Sequence, residues 1–292
     1  MKFTAEKSQI VDSLQNAAAV AERRQTIPIL ANLRLKASSG KLEVTATDLE
    51  IQIKNYSDLL SIEEEGETTV SARKMSELCR SLPDAENVDF LLKDGKLTVS
   101  SKNFHGDFAT ISADDFPELE VNEEQKSTEI LSGALKRILT KTSFSMASQD
   151  VRYYLNGLLL ELTEGEIKGV ATDGHRLAVS SSKAEGKGLE MRNILPRKAV
   201  LELAKLLPPE DVPIELLVGP TYIGVKTESL NFSSKLIDGK YPDYEKVFPS
   251  GDPLPLMVGK ETLQSALSRA SVLSNEKYRG VRFELSKGSL KL

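Results

Sequence analysis

Apolar and polar residues alternate with period two over residues 33–37, 41–47 and 97–101, which predicts half-buried β-strands. Residues 6–21, 132–147 and 260–274 instead carry apolar positions near the helical period, as at Leu135, Ile138, Leu139 and Met146. A second helical pattern occupies 72–82 and recurs at 197–207, each time stopped by a proline, Pro83 and Pro208. Asp94-Gly95, between two strand patterns, reads as a hairpin turn, and Asp238-Gly239 as a second turn dipeptide. Two helices on one side of antiparallel strands make an α+β layer arrangement.

The pattern repeats. Shifted by 125 positions, Ala46-Thr47-Asp48 falls on Ala171-Thr172-Asp173, Leu30, Leu33 and Leu35 fall on Leu155, Leu158 and Leu160, and Phe116-Pro117-Glu118 falls on Tyr241-Pro242-Asp243. Arg73, Met75, Glu77, Leu78, Cys79, Arg80 and Leu82 meet Lys198, Val200, Glu202, Leu203, Ala204, Lys205 and Leu207, with charge sign and apolar class kept throughout. A third copy begins at an offset of 123, where Gly157, Leu158, Leu160, Leu162 and Ile167 meet Gly280, Val281, Phe283, Leu285 and Leu290. The expected organisation is a repeat over 1–121, a second over 122–247, and an incomplete third over 248–292. The joints are the stretch 118–126 and the run Phe248-Pro249-Ser250-Gly251-Asp252-Pro253. On this reading the chain stops inside its third unit, in the middle of a strand pattern.

Charge changes the picture because it is unevenly spread. The formal net charge of −5 argues by itself against a polyanion partner. Yet the five helix windows together carry +8, which leaves −13 for everything else. Residues 132–147 contain Lys136, Arg137 and Lys141 and no acid. A basic surface built from repeats suits a polyanion that itself repeats, and duplex DNA bound through its phosphates is the obvious one. No helix-turn-helix, zinc finger or aromatic RNA-binding sheet motif is present. No run approaches the roughly 18 apolar residues of a membrane span, and the N-terminus has no signal-like apolar segment. The single cysteine, Cys79, excludes a disulfide framework and a multi-cysteine zinc site and reads as a buried hydrophobe in a reducing, cytoplasmic setting.

Catalytic motifs are missing: there is no phosphate-cradling glycine loop, nucleophile elbow or paired-histidine zinc motif, and no cofactor or metal is expected. An enzyme would have to use Asp173 and His175 as an acid–base pair. Against it, Asp48 holds the place of Asp173 in the first repeat, and no histidine follows there. Gly174-His175-Arg176-Leu177 thus occurs in one copy only, which suggests a binding site.

Met1-Lys2-Phe3-Thr4, Thr26-Ile27-Pro28-Ile29-Leu30, Asp150-Val151-Arg152-Tyr153-Tyr154-Leu155-Asn156-Gly157, Ala171-Thr172-Asp173-Gly174-His175-Arg176-Leu177-Ala178 and Leu273-Ser274-Asn275-Glu276-Lys277 together resemble the bacterial replicative sliding clamps, the beta subunits of DNA polymerase III. The resemblance runs along the whole chain. It implies repeated DNA-clamp domains, each of two helices packed on antiparallel sheets, two complete and part of a third. It further implies a non-enzymatic ring, a head-to-tail homodimer when full length, that encircles duplex DNA without sequence specificity and tethers the polymerase for processive synthesis.

Residue by residue, the resemblance implies DNA contacts from Arg24, Arg73, Gln149, Tyr153, Tyr154 and Lys198. It implies a cleft for short peptide motifs of polymerases and clamp loader around Arg152, Leu155, Thr172, Gly174, His175, Arg176, Leu177, Pro242 and Val247. Lys74, Phe104 and Phe108 would form one side of the dimer interface and Val272 and Leu273 the other. A chain ending at Leu292 is expected to leave a sheet edge unburied and to be monomeric or prone to aggregate, which sedimentation would test. Two other readings stay open at this point. A scaffold for acidic protein partners would not be retained on circular duplex, and a hydrolase would lose activity on His175→Ala.

Overall fold

The computed structural model describes residues 1–21, 27–83, 86–119, 125–184, 189–249, 251, 255–275 and 280–292. The first repeat runs β1 (Lys2–Glu6), α1 (Lys7–Val20), β2 (Asn32–Ser38), β3 (Lys41–Thr47), β4 (Ile51–Asp58), β5 (Ser61–Glu64), β6 (Gly66–Ser71), α2 (Ala72–Ser81), β7 (Asn87–Lys93), β8 (Lys96–Ser101) and β9 (Phe104–Ile111). The second runs β10 (Lys126–Leu131), α3 (Ser132–Thr142), β11 (Gly157–Thr163), β12 (Gly165–Thr172), β13 (Leu177–Ala184), β14 (Met191–Pro196), α4 (Arg197–Leu206), β15 (Pro213–Val218), β16 (Tyr222–Lys226) and β17 (Leu230–Lys235). A shift of 125 carries β2 onto β11, β6 onto β14 and α2 onto α4 residue for residue. The sequence repeat is a structural one.

Pairing joins the copies. Thirteen strands form one sheet in the order β10-β15-β16-β17-β4-β3-β2-β6-β9-β8-β7-β1-β5, and β13-β12-β11-β14 form another. The seam is the antiparallel pair β17–β4, with Leu230 opposite Asn55 and Phe232 opposite Ile53. Because the sheet runs through it, Met1–Pro242 is one compact unit, and Asp243–Leu292 is a second.

The helices form a layer on these sheets. Helix α1 turns Ile10, Leu14, Ala17 and Val20 inward, and α2 turns Ala72, Met75 and Cys79 inward. Helix α3 buries Leu135, Ile138 and Leu139, and α4 buries Ala199, Val200 and Leu203. Each leucine, isoleucine, valine or methionine among them contributes about 1.5–3 kcal/mol when fully buried, so the inward stripe decides which face of each helix is left for solvent. In the second repeat α3 sits so close to β12 that a Cβ on Gly169 would meet Ile138 Cγ2 at 2.4 Å. Helix α2 packs beside α1, α4 touches the end of α1, and α3 packs beside α4, in the order α2-α1-α4-α3.

Two expectations need adjusting. Helix α3 ends at Thr142, and a short 3-10 turn, Ser143–Ser145, replaces its predicted last turn. The Thr142 hydroxyl donates to the Ile138 carbonyl at 2.7 Å and competes there with the helix ladder. Asp94-Gly95 is the β7–β8 turn, with both residues at left-handed φ (51° and 72°). Asp238-Gly239 is only a bend: β17 ends at Lys235, and a single bridge, Ile194 to Ile237, precedes it.

In the second unit a 3-10 turn (Tyr244–Val247) precedes α5 (Lys260–Val272), which has no buried residue, and a hairpin of β18 (Glu284–Ser286) and β19 (Ser289–Lys291). Glu284 pairs with Lys291 there, as Glu161 pairs with Lys168 in β11–β12, so the third copy keeps the register of the second.

Candidate nucleic-acid and partner interfaces

Lysines and arginines on the helix layer fall into two groups. Lys74, Arg80, Arg137 and Lys141 are exposed and make no ion pair among the described residues. Arg137 and Lys141 stand one turn apart on α3, on the side opposite its apolar stripe. The others are engaged. Arg73 Nε donates to Glu77 Oε1 at 2.9 Å, Lys205 Nζ to Glu202 Oε1 at 2.9 Å, and Lys136 Nζ to the Leu207 carbonyl at 2.6 Å. Lys198 bridges the two repeats: its ammonium donates to the buried carboxylate of Asp48 and to the Val20 carbonyl. The exposed face of α1 (Ser8, Gln9, Asp12, Gln15, Asn16) carries no positive charge, so the basic character comes from α2, α3 and α4. Arg24, expected beside α1, lies outside the described residues.

Beyond α3 the chain enters a tightly clasped loop. Asp150 N–H donates to Asn156 Oδ1 at 2.9 Å, and Asn156 Nδ2 returns a bond to the Asp150 carbonyl at 2.8 Å. The clasp holds Gln149 at left-handed φ (59°) and sets Tyr153 edge-on to Tyr154, with ring centroids 5.8 Å apart. Tyr153 and Val151 are exposed. Arg152 forks onto Asp150, Nε to Oδ1 at 3.0 Å and Nη2 to Oδ2 at 2.8 Å, and these bonds hold the Asp150 carboxyl down at about 2.

The repeated Thr-Asp dipeptide has a structural explanation. Thr172 Oγ1 donates to the Arg176 carbonyl, Gly174 N–H donates to Thr172 Oγ1, and the N–H groups of His175 and Arg176 donate to Asp173 Oδ1. In the first repeat, Thr47 Oγ1 donates to the Ile51 carbonyl, Leu49 N–H to Thr47 Oγ1, and Glu50 and Ile51 N–H to Asp48 Oδ1. The two loops are one turn, closed twice by the same threonine and aspartate. Its third residue takes left-handed φ in both copies, Leu49 at 74° and Gly174 at 87°.

What differs between the copies is what the turn presents. In the second repeat Arg152 lies against Gly174, where a Cβ would come 3.2 Å from both Nη atoms, and Arg152 Nη2 reaches the Asp173 carbonyl. Tyr241, buried, donates no bond here but accepts one from Thr172 N–H at 3.0 Å, and burial pushes its phenol up to about 12. Arg152, Thr172, Gly174, His175, Arg176 and Leu177 are thus gathered on and around one turn, with Thr172 and Leu177 half-buried and the other four exposed, while Leu155 is buried three residues after Arg152. Pro242 is exposed next to Tyr241, and Val247 is exposed in the second unit. Sequence reasoning missed Asp150, Tyr241 and the positioning role of Asp173. The spacing Asp-x-Arg in Asp150-Val151-Arg152 was the available signal for the first, and for Tyr241 there was none, because its partner is far away in the chain.

Asp173 is fully committed to this turn: its Oδ2 accepts from Arg176 Nε at 3.0 Å while Oδ1 takes the two N–H groups. These bonds draw its carboxyl below the usual range against the opposing effect of burial. Such a carboxylate is held as an acceptor, a poor base for proton transfer. No cluster of metal-ligating side chains occurs among the described residues, and no helix there is long and apolar enough to cross a membrane.

Strand β9 pairs with β8 along its length but with β6 only at Thr110 and Ile111, so the edge over residues 104–109 is open. Phe104 and Phe108 are half-buried on it, against the core. Val272 and Leu273, at the end of α5, are almost fully exposed.

Residues 1–120 match the family described as DNA polymerase III beta subunit, N-terminal domain, and residues 129–243 match its central domain. The chain is 42% identical over 293 residues to the beta sliding clamp of Pseudomonas aeruginosa, spanning all of this chain and 80% of the relative. The chain belongs to the beta sliding clamp family. The clamp of Escherichia coli K12 is 40% identical over the same spans. A crystal structure of the P. aeruginosa DnaN clamp bound to griselimycin superposes with a TM-score of 0.90 at 41% identity, covering 99% of this chain and 79% of that one. The Bartonella birtlesii clamp, also bound to griselimycin, gives 0.90 at 33% identity, covering 99% and 79%. The function that follows is that of a processivity clamp of DNA polymerase III, and the fold is the clamp fold, two full modules and part of a third.

Proposed function

We propose that the helix layer α2-α1-α4-α3 is the wall of a ring that holds duplex DNA through phosphates alone. The observation that carries this is the distribution of charge: Arg80, Arg137 and Lys141 are exposed on the helix layer and make no ion pair among the described residues, in a chain whose net charge is −5. Contacts of this kind are sequence-independent and salt-labile, which is what sliding needs. Arg73, Gln149, Tyr153 and Tyr154 add to the same wall. Lys198, tied to Asp48, acts mainly by fastening the repeats together. The protein performs no chemistry of its own and works in the cytoplasm.

Two further surfaces complete the reading. The turn at Thr172–Leu177, with Arg152, Leu155 and Pro242, receives short peptide segments of polymerases and clamp loader. Support comes from the run Gly174-His175-Arg176-Leu177, which occurs in one copy only, and from the two griselimycin-bound relatives. The open β9 edge, with Phe104, Phe108 and Lys74, is the head-to-tail surface. In the module β17 is the counterpart of β9 and pairs with a β4 strand. By the same rule β9 takes a β4-type strand from a second chain, beside its Val272 and Leu273, and β13 is the matching acceptor in the second repeat. Heterologous edges of this kind generate a ring when the rotation closes.

The protein to test is a chain that carries three complete modules. Loaded on a nicked circular duplex, it is expected to stay bound through gel filtration in high salt and to leave after one restriction cut. Equal loss from circle and linear duplex would overturn the proposal.

A further inference from the structure

At the centre of the one-copy turn a guanidinium is stacked on an exposed aromatic ring. Arg176 Cζ lies 5.7 Å from the centroid of Phe144, while its Nε donates to Asp173 Oδ2 at 3.0 Å. Phe144 is 58% exposed, well above what a core phenylalanine shows, and it sits in the 3-10 turn that cuts α3 short. The two Nη groups of Arg176 have no hydrogen-bond partner among the described residues. One edge of the guanidinium is therefore tied, the ring lies within cation–π range, and the remaining donors belong to a side chain that is 56% exposed.

The first repeat lacks the whole device. At the 125-residue offset Ala19 stands for Phe144 and Ile51 for Arg176, and Ile51 is buried in the core. Nothing in the turn's own hydrogen bonding calls for an aromatic at 144, since the first repeat closes the same turn without one. A free surface arginine loses rotamer freedom when it binds, whereas one already braced by a ring and a carboxylate loses less.

We infer that Phe144 is a positioning residue of the peptide site: it holds Arg176 so that the open guanidinium edge meets acceptor oxygens of an extended peptide. The inference rests on the peptide-site reading above. The acceptors are the main-chain carbonyls that any extended segment offers, or a carboxylate side chain.

Griselimycin is the probe, with affinity read by calorimetry, and the Arg176 Nε–H resonance reports the guanidinium directly by NMR. Phe144→Ala is expected to weaken griselimycin about three- to five-fold, the scale of an exposed cation–π contact. The same change should shift the Arg176 Nε–H signal and speed its exchange, and Phe144→Tyr should restore both. In an Arg176→Ala background, Phe144→Ala should cost nothing more, because the two act as one element. If Arg176→Ala weakens binding and Phe144→Ala does not, the inference falls and the peptide site stands. If Arg176→Ala, Leu177→Ala and Phe144→Ala all bind griselimycin as the parent does, the peptide-site reading falls as well.

Discussion

Gly174 and Leu49 stand at the same station of one turn, and only one of them could have been chosen for the neighbour it faces. Both sit at left-handed φ, a region that costs a residue with a side chain about 1–2 kcal/mol. At Gly174 the guanidinium of Arg152 adds a second constraint. Gly174→Ala is therefore expected to lower stability by about 1 kcal/mol or more in urea unfolding and to displace Arg152 from Asp150. An unchanged midpoint would contradict the packing argument. Asp150 gives a pH prediction. Its carboxyl is held to about 2 by Arg152, below an ordinary 3.8, so the favourable contribution is complete above about pH 4 and fades as pH falls toward 2. Chemical shifts in the 149–156 loop should show a movement below pH 4, and Asp150→Asn should remove that movement. The repeated Thr-Asp was visible in the sequence, but its reason was not, because side-chain bonds to the turn's own N–H groups leave no periodic signature. Tyr241 was invisible for another cause: what makes it matter is a bond to Thr172, on the far side of the repeat.

At the scale of elements, the helical periods located four of the helices within a turn of their ends, while α3 stops at Thr142, five residues short of the pattern that ran to 147. What the periods could not tell was how a lysine would be used. Arg73 and Lys198 are equivalent in sequence, yet one faces solvent against Glu77 and the other closes the joint between repeats. Position in the assembly separates them, and a single chain position carries no record of it. The Lys198–Asp48 contact sets up a testable asymmetry. Asp48 is buried while the lysine is half exposed, so Lys198→Met leaves a carboxylate without its counter-charge. A loss of about 1–3 kcal/mol is expected by urea unfolding, and Asp48→Asn in the same chain should recover part of it. Equal losses for the single and double variants would show that the pair contributes no coupling.

For the whole molecule, the 125-residue period announced the repeated architecture, and the uneven charge is what suggests a polyanion partner. The joining rule was not legible. Alternating hydrophobicity says that a strand is half-buried but not which edge it offers, and only the β17–β4 register shows that modules join by sheet continuation. On the proposed reading the same rule would use β13, an end strand, and the part of β9 that β6 leaves unpaired among the described residues. It also separates the two sides of the molecule, since strands carry the junctions and the helix layer is left free to carry charge. That separation is the central claim, and a salt titration tests it most directly. Binding to two unrelated duplexes of equal length should be the same and should fall linearly in log–log form with salt. The variant Arg137→Glu/Lys141→Glu should bind more weakly with a shallower slope, whereas Arg192→Glu, on the sheet, should match the parent. A preference between duplexes, or a greater loss from Arg192→Glu than from the α3 pair, would contradict the account.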